Sequence, residues 1–171
     1  MKTGTVRAAV PDAVFTDRDR AGRDIDHLPT VVATRVRTSA GYSGTPLPKK
    51  LGIMGGFRVM AIGAPDSFEE TLGALPEGAA FAHAGRPDVL VVFTTTQAEL
   101  EARFPKAIQR ADEKTRLWIA WPKKASGVRS DLNEDAVRNF GLGLGWVDYK
   151  VCAIDATWSG LLFAPRKATS R

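Results

Sequence analysis

Two consecutive lysines, Lys123 and Lys124, are the residues whose type and position most favour ligand chemistry. They follow the apolar segment 117–121, and a short loop through Gly127 leads from them to a segment with helical patterning. Ammonium groups and the unpaired N–H groups of a helix start both attract negative charge. Because ligands of α/β proteins bind at the carboxyl ends of parallel strands, the pattern predicts an anion-binding crevice there.

Aromatic and polar side chains are available to complete that crevice. Trp121 ends the same apolar segment, and Trp158 lies in the short connection 156–160 between two later apolar segments. Asp155 and Ser159 flank Trp158; they either pair with Lys124 or cap the turn. The predicted ligand-binding residues are Gly63, Trp121, Lys123, Lys124, Ser126, Asp155, Trp158 and Ser159.

The other chemistry-bearing residues predict neither a catalytic nor a metal site. His83 has no second histidine or cysteine at metal-ligand spacing, which favours a strand histidine satisfied by the fold. Cys152 is the only cysteine and alternates with apolar neighbours, which favours a buried, inert thiol. We therefore expect no catalytic residue, no metal and no cofactor.

Composition places the chain among ordinary cytoplasmic proteins with one main domain. Its 171 residues are 44% hydrophobic and 25% charged, and no apolar run approaches the roughly 20 residues that span a bilayer. The first residues lack the apolar core of a secretory signal. We expect no membrane partner.

Positive charge is concentrated near the beginning of the chain. Residues 1–50 hold nine Lys or Arg and five Asp, which is +4 of the net charge of +5. Apolar residues in 1–45 keep no regular period, so this part is predicted to be a basic extension, disordered or loosely attached. A single α/β domain is expected over 46–167, and a tail over 168–171.

Apolar patterning from residue 57 onward predicts alternating strands and helices, as in a parallel sheet with helical crossovers. Pro105 predicts a break within one helix. Two late strands are joined by five residues, too few for a helical crossover, so they must form an antiparallel hairpin. The predicted strands are 57–62, 80–84, 89–93, 117–121, 146–155 and 161–164; the predicted helices are 67–74, 97–112 and 132–144, with capping pairs Asp66/Glu69, Thr96/Glu99 and Asp131/Glu134.

This order of elements resembles the class I methyltransferase architecture with one βα unit missing from the middle. Several segments also resemble domain of unknown function family 3052, most distinctively Trp-Pro-Lys-Lys at 121–124 and Thr-Trp-Ser-Gly at 157–160. The resemblance spans roughly residues 42–167. It implies a small bacterial α/β domain, a three-layer Rossmann-like fold with a mainly parallel sheet and a C-terminal antiparallel hairpin, and no particular activity.

The sequence departs from the methyltransferase pattern where the adenosyl cofactor binds. That fold uses a glycine-rich turn after its first strand and a carboxylate at the end of its second. Here Gly63 stands alone, Pro65 lacks an N–H, and the segment 80–84 ends without a carboxylate. These departures disfavour binding of the cofactor.

Three functions follow as hypotheses. The first is a non-catalytic module that binds an anionic small molecule or a protein partner, with regulation as one role for it. The second is a degenerate or unusual adenosylmethionine-dependent methyltransferase. The third is a nucleic-acid-associated regulator that uses the basic extension to contact phosphates.

Overall fold

A computed structural model describes residues 44–168, which form a six-stranded sheet flanked by helices. Predictions for residues 1–43 and 169–171 lie outside this range, so the domain boundaries stay a prediction. No described helix is long and apolar enough to cross a membrane. The strands are β1 (Arg58–Ile62), β2 (Ala80–Phe81), β3 (Val89–Phe93), β4 (Arg116–Pro122), β5 (Trp146–Ala153) and β6 (Trp158–Pro165); the α-helices are α1 (Leu47–Leu51), α2 (Phe68–Leu72), α3 (Gln97–Arg110) and α4 (Glu134–Gly143), and Lys124–Ser126 form a 3₁₀ turn.

The sheet has the strand order β2-β1-β3-β4-β6-β5. Its first four strands are parallel, whereas β6 runs antiparallel to both β4 and β5. The predicted fold class is therefore confirmed, including the hairpin at the sheet edge. From β1 the chain goes to β2 on one side of β1 and then to β3 on the other side. A topological switch point therefore lies between β1 and β3.

The hairpin is tighter than predicted. Strand β6 begins at Trp158, and the backbone N–H groups of Ile154 and Asp155 both donate to the Trp158 carbonyl at 2.9 and 3.3 Å. The prediction that Trp158 sits in a loop is wrong, because its backbone already belongs to the antiparallel ladder.

Alternate strand residues pack into two apolar cores on opposite faces of the sheet. On the α3 face, strand side chains pack against α3 and α4; on the α1 face, they pack against α1 and α2. Strand β3 is fully buried along its length, as its continuous apolar sequence predicts. Trp118 is fully buried on the α1 face, and its indole donates to the Leu51 carbonyl at 3.0 Å, which holds α1 on the sheet.

Helix starts match the predicted caps in one case of three. Thr96 caps α3 by accepting from the Glu99 N–H at 3.2 Å, but the Glu99 carboxylate reaches Thr95 rather than Thr96. Asn133 caps α4 in place of the predicted Asp131. Ser67, not Asp66, precedes α2, and no side chain caps that helix.

Helix α3 is continuous through Pro105, so the predicted break is wrong. The helix is held instead by burial of its apolar stripe, in which Leu100, Phe104 and Ala107 are fully buried. Tertiary packing thus outweighs the hydrogen bond that the proline removes.

The β1–β2 end of the sheet is thinner than the rest. Strand β2 has only two residues where five were predicted, and its pairing with β1 covers two positions. The chain after β2 turns away through Gly85, whose φ of +81° suits glycine, toward β3. Side chains near the carboxyl ends of β1 and β2 therefore lie partly open to solvent.

Candidate functional site

Lys123, the first lysine of the loop after β4, has a structural role. The Lys123 ammonium donates to the Asp155 carbonyl at 2.6 Å, and the Lys123 N–H donates to the Thr157 carbonyl at 2.8 Å. Lys123 therefore fastens the loop to the hairpin turn. Lys124 points into solvent as an exposed side chain. The structure brings Lys123 and Asp155 together, but through a backbone carbonyl rather than the carboxylate.

The polar residues of the two loops also have local partners. The Asp155 carboxylate accepts from the N–H groups of Thr157 and Trp158, each at 2.7 Å, so it caps the turn. The Ser126 hydroxyl donates to the Lys123 carbonyl at 2.6 Å and closes the 3₁₀ turn. Of the two roles open to Asp155 from the sequence, the structure shows turn capping.

The two tryptophans proposed as walls of one crevice lie on opposite faces of the sheet. Trp121 is 5% exposed and packs on the α3 face, where Ser159 is its cross-strand neighbour. Trp158 lies on the α1 face, edge-on to Phe93 with ring centroids 4.9 Å apart. The prediction that both indoles wall one crevice is wrong. Trp158 pairs with Pro122, the residue after Trp121, and successive residues of a strand point to opposite faces of the sheet.

A cavity of about 430 Å³ opens at the carboxyl ends of β1 and β2; we name it the edge crevice. The turn after β1 forms one wall, the start of α2 a second and the end of β2 a third. Of the predicted site residues it includes only Gly63. It is lined by Ala61, Gly63, Ala64, Pro65, Asp66, Phe68, Glu69, Phe81, Ala82 and His83.

The polar side chains of the edge crevice are two carboxylates and an imidazole. Asp66 and Glu69 come from the α2 end of the turn, and both are exposed. His83 follows β2 rather than lying within it and is exposed too, so the prediction of a satisfied strand histidine is wrong. The sequence predicted helix capping for both acids; the positions of Asp66, in the turn after a buried strand, and of Glu69, in the first turn of the next helix, were the available signal.

An arginine from α3 covers the switch point between β1 and β3. The Arg103 guanidinium donates to the Phe93 carbonyl at 2.5 Å and to Glu99 at 2.9 Å. A methyl group on Gly63, whose φ is +65°, would lie 2.5 Å from Arg103 Nη1 and 3.0 Å from the Phe93 oxygen. The space over this glycine is thus filled by the protein's own guanidinium.

Glu99 is well stabilised as a carboxylate. Its Oε2 accepts from the Thr95 N–H at 2.7 Å and from the Thr95 hydroxyl at 2.8 Å. The Thr95 backbone hydrogen bond first, then the Thr95 hydroxyl and the charge of Arg103, hold the Glu99 pKa below its ordinary value, against the opposing effect of burial. A charged Glu99 in turn fixes Arg103 over Gly63.

A second cavity of about 290 Å³ lies on the α3 face beside β1; we name it the basic groove. Apolar and small side chains of β1 and the end of β2 form its floor, and three basic side chains of α3 form its wall. It is lined by Met60, Ala61, Ile62, Ala82, His83, Arg103, Lys106 and Arg110.

Comparison with known proteins gives similarity of fold without a family. No family model and no curated protein matches this chain. A protein of the NADB-Rossmann superfamily from Streptococcus agalactiae is 8% identical, covers 77% of this chain and 72% of its own, and has a TM-score of 0.47.

Two further solved structures are similar at the same level. The DhpI–SAH complex is 10% identical over 86% of this chain and 92% of its own, with a TM-score of 0.47. Magnesium protoporphyrin IX methyltransferase from Synechocystis PCC 6803 with bound SAH is 13% identical over 70% and 78%, with a TM-score of 0.42. The fold assignment for this chain rests on its own strand order and directions.

The structure describes the cysteine and the potential metal ligands that lie within residues 44–168. No three His, Cys, Asp or Glu side chains of this range are grouped as a metal ion requires. Cys152 is half-buried, and burial raises the pKa of its thiol although Lys150 opposes the shift. A raised pKa keeps the thiol protonated and poorly nucleophilic.

Proposed function

We propose that this protein is a non-catalytic, Rossmann-like module that binds a small molecule in the edge crevice. The observation that carries the proposal is the position of a 430 Å³ cavity at the carboxyl ends of β1 and β2, beside the switch point. Open α/β sheets bind their ligands outside the carboxyl ends of their strands, and a cavity of this volume suits a small organic molecule.

The side chains of the crevice indicate what kind of ligand fits. Carboxylates at Asp66 and Glu69 accept hydrogen bonds, so they favour hydroxyl or amino groups. The half-buried Phe81 offers apolar surface for a flat group, whereas Phe68, at 2% exposure, contributes little to it. Two carboxylates repel a free anion, so the anionic ligand expected from Lys123 and Lys124 does not suit this crevice. A nucleoside-like or amino-sugar-like molecule combines the favoured features.

Binding without catalysis is proposed because of the exposure of the polar groups. Asp66, Glu69 and His83 are all open to solvent, whereas catalytic acids and bases generally act in sites that exclude water. The alternative of a protein partner would use the same open edge. A nucleic-acid role depends on the basic residues 1–45, almost all of which lie outside the described range.

A degenerate methyltransferase is the second candidate, favoured by the same location beside Gly63. Three features oppose it: Arg103 fills the space above Gly63, Pro65 removes a donor, and His83 stands where a carboxylate is needed. The residues present do not fit the adenosyl cofactor in this arrangement. Membership of domain of unknown function family 3052 remains a proposal that assigns no activity.

Thermal denaturation of the full chain with a ligand panel tests the proposal. Adenosine, glucosamine, S-adenosylhomocysteine and inorganic phosphate are each added in excess. A ligand at about a hundred times its dissociation constant stabilises the native state by about 2.7 kcal/mol, which raises the melting temperature by roughly 5 °C or more. We expect adenosine or glucosamine to do so and phosphate to have no effect through this crevice.

Matched variants locate the binding. The double variant Asp66→Asn, Glu69→Gln should lose the shift, whereas Glu113→Gln, in the loop that precedes β4 at the amino ends of the strands, should keep it. A shift that survives in the double variant contradicts the proposed site. Stronger binding of S-adenosylhomocysteine than of adenosine, or consumption of S-adenosylmethionine, would favour the second candidate instead.

A further inference from the structure

The α3 face of the sheet is incompletely covered over β1. Helices α3 and α4 pack over the strands from β3 to β6, but the basic groove leaves part of β1 open. Its floor includes Met60, which is 4% exposed, and the half-buried Ile62. The groove therefore offers apolar surface beside the edge of α3.

The wall of the groove is a stripe of positive charge. Arg103, Lys106 and Arg110 are three and four residues apart, which places them along one side of α3 over about 10 Å. No carboxylate lines the groove. Glu99, at one end of the stripe, is already paired with Arg103.

Two of the three cations have no acidic partner in the described residues. Lys106 is exposed and forms no ion pair there, and the one side-chain hydrogen bond of Arg110 within residues 44–168 goes to the Met60 sulfur, at 3.5 Å. A sulfur atom is a weak acceptor, so the Arg110 guanidinium keeps most of its donors. Two available cations above an apolar floor match an anion that carries an apolar body.

We propose that the basic groove binds a small organic anion, with its carboxylate or phosphate group between Lys106 and Arg110 and its apolar part on Met60 and Ile62. The volume of about 290 Å³ suits a small molecule. Its floor of Met60 and Ile62 lies on the face of the sheet opposite Phe68 of the edge crevice. The two cavities meet at Ala61, Ala82 and His83, which line both, and they take ligands of opposite charge preference. The inference does not depend on the proposed function.

Titration calorimetry at low and moderate salt tests the proposal with three probes: phenyl phosphate, inorganic phosphate and phenol. Phenyl phosphate combines charge and an apolar ring, so it should bind at least tenfold more tightly than either of the other two. Raising the salt concentration should weaken the binding of phenyl phosphate and leave the binding of phenol unchanged. Equal binding of phenyl phosphate and inorganic phosphate would overturn the role of the apolar floor.

Two charge-matched variants place the site. The double variant Lys106→Gln, Arg110→Gln should weaken the binding of phenyl phosphate at least tenfold. The double variant Lys114→Gln, Arg129→Gln removes the same charge elsewhere and should change that affinity less than twofold. Equal weakening in both variants means general charge attraction and overturns the site. In the unmodified protein, phenyl phosphate should shift the NMR signals of the Met60 and Ile62 methyl groups; unchanged signals would also contradict the proposal.

Discussion

Polar side chains at the two ends of the sheet differ in hydrogen bonding and exposure. At the β4–β6–β5 end, Lys123, Asp155 and Ser126 all bind backbone groups of the two loops. At the β1–β2 end, the polar side chains of the two cavities are exposed or weakly partnered, as with His83 and Lys106, except for Arg103, which is bonded to Phe93 and Glu99.

This contrast separates residues that build the fold from residues available for binding. The bond from Lys123 to the Asp155 carbonyl fixes its ammonium beside the hairpin turn, so moving the ammonium toward an anion elsewhere costs free energy. An exposed side chain at a cavity has no such bond to lose. Binding is therefore expected at the thin end of the sheet, while the hairpin end supplies stability.

The largest expected change in stability comes from a substitution in helix α4. Gly141 is buried, and a methyl group there would overlap the ring of Phe163, whereas one on Gly143 would meet nothing within 4 Å. Gly141→Ala should lower the free energy of unfolding by about 1–3 kcal/mol through overpacking. Gly143→Ala should leave it unchanged or raise it by up to about 1 kcal/mol, because alanine favours helix.

Urea denaturation of the two variants measures the difference. The Gly141 variant should also keep adenosine or phenyl phosphate binding at temperatures where it is folded, because both cavities lie at the other end of the sheet. Similar stabilities for the two variants would contradict close packing of α4 on β6.

The lysine pair gives the next largest effect. Lys123→Ala removes the bond between the loop and the Asp155 carbonyl, so it should lower the free energy of unfolding by about 1 kcal/mol after allowance for partial exposure. Lys124→Ala, an exposed neighbour, should stay within about 0.5 kcal/mol of the wild type. Lys123→Met keeps the apolar stem and isolates the lost donor.

Phosphate binding by the same variants sharpens the comparison of the two ends. If Lys123→Ala and Lys124→Ala both prove neutral for stability, and phosphate binding falls when both lysines are replaced by alanine, then the anion site predicted from the sequence is correct and the two ends are more alike than the structure indicates.

The sheet was predictable from sequence because its signals are local. Strand β3 is continuously apolar, and the short link between β5 and β6 permits only a hairpin, so both were found. The site was less predictable because it depends on which long-range partner each polar group meets. Lys123 and Asp66 look equally available in the sequence; only the fold shows the first bonded to residue 155 and the second open at a cavity.

Arginine 103 illustrates the same limit. In the sequence, Arg103 is an ordinary helix residue four positions after Glu99, which suggests a surface ion pair. Its contact with Gly63 joins two segments 40 residues apart, and this contact decides whether the switch point is open. Helical periodicity carries no information about that pairing.

The smallest expected effect concerns Glu99, which holds Arg103 at the boundary between the two cavities. Because the pKa of Glu99 is lower in the folded protein than its ordinary value near 4.5, its charge stabilises the fold above that pH. The contribution is lost as pH falls through the folded-state pKa, when the carboxylate takes up a proton. Glu99→Gln keeps an acceptor for the Thr95 N–H while removing the charge. The variant should therefore be less stable than the wild type at pH 7, and the difference should shrink progressively as the pH falls below about 4.5. A series of urea unfolding curves from pH 7 downward measures it, with Glu113→Gln as the control that leaves Thr95 and Arg103 untouched. A difference that is constant with pH would mean that shape rather than charge at Glu99 secures Arg103, and the arginine would then be expected to stay over Gly63 in acid as well.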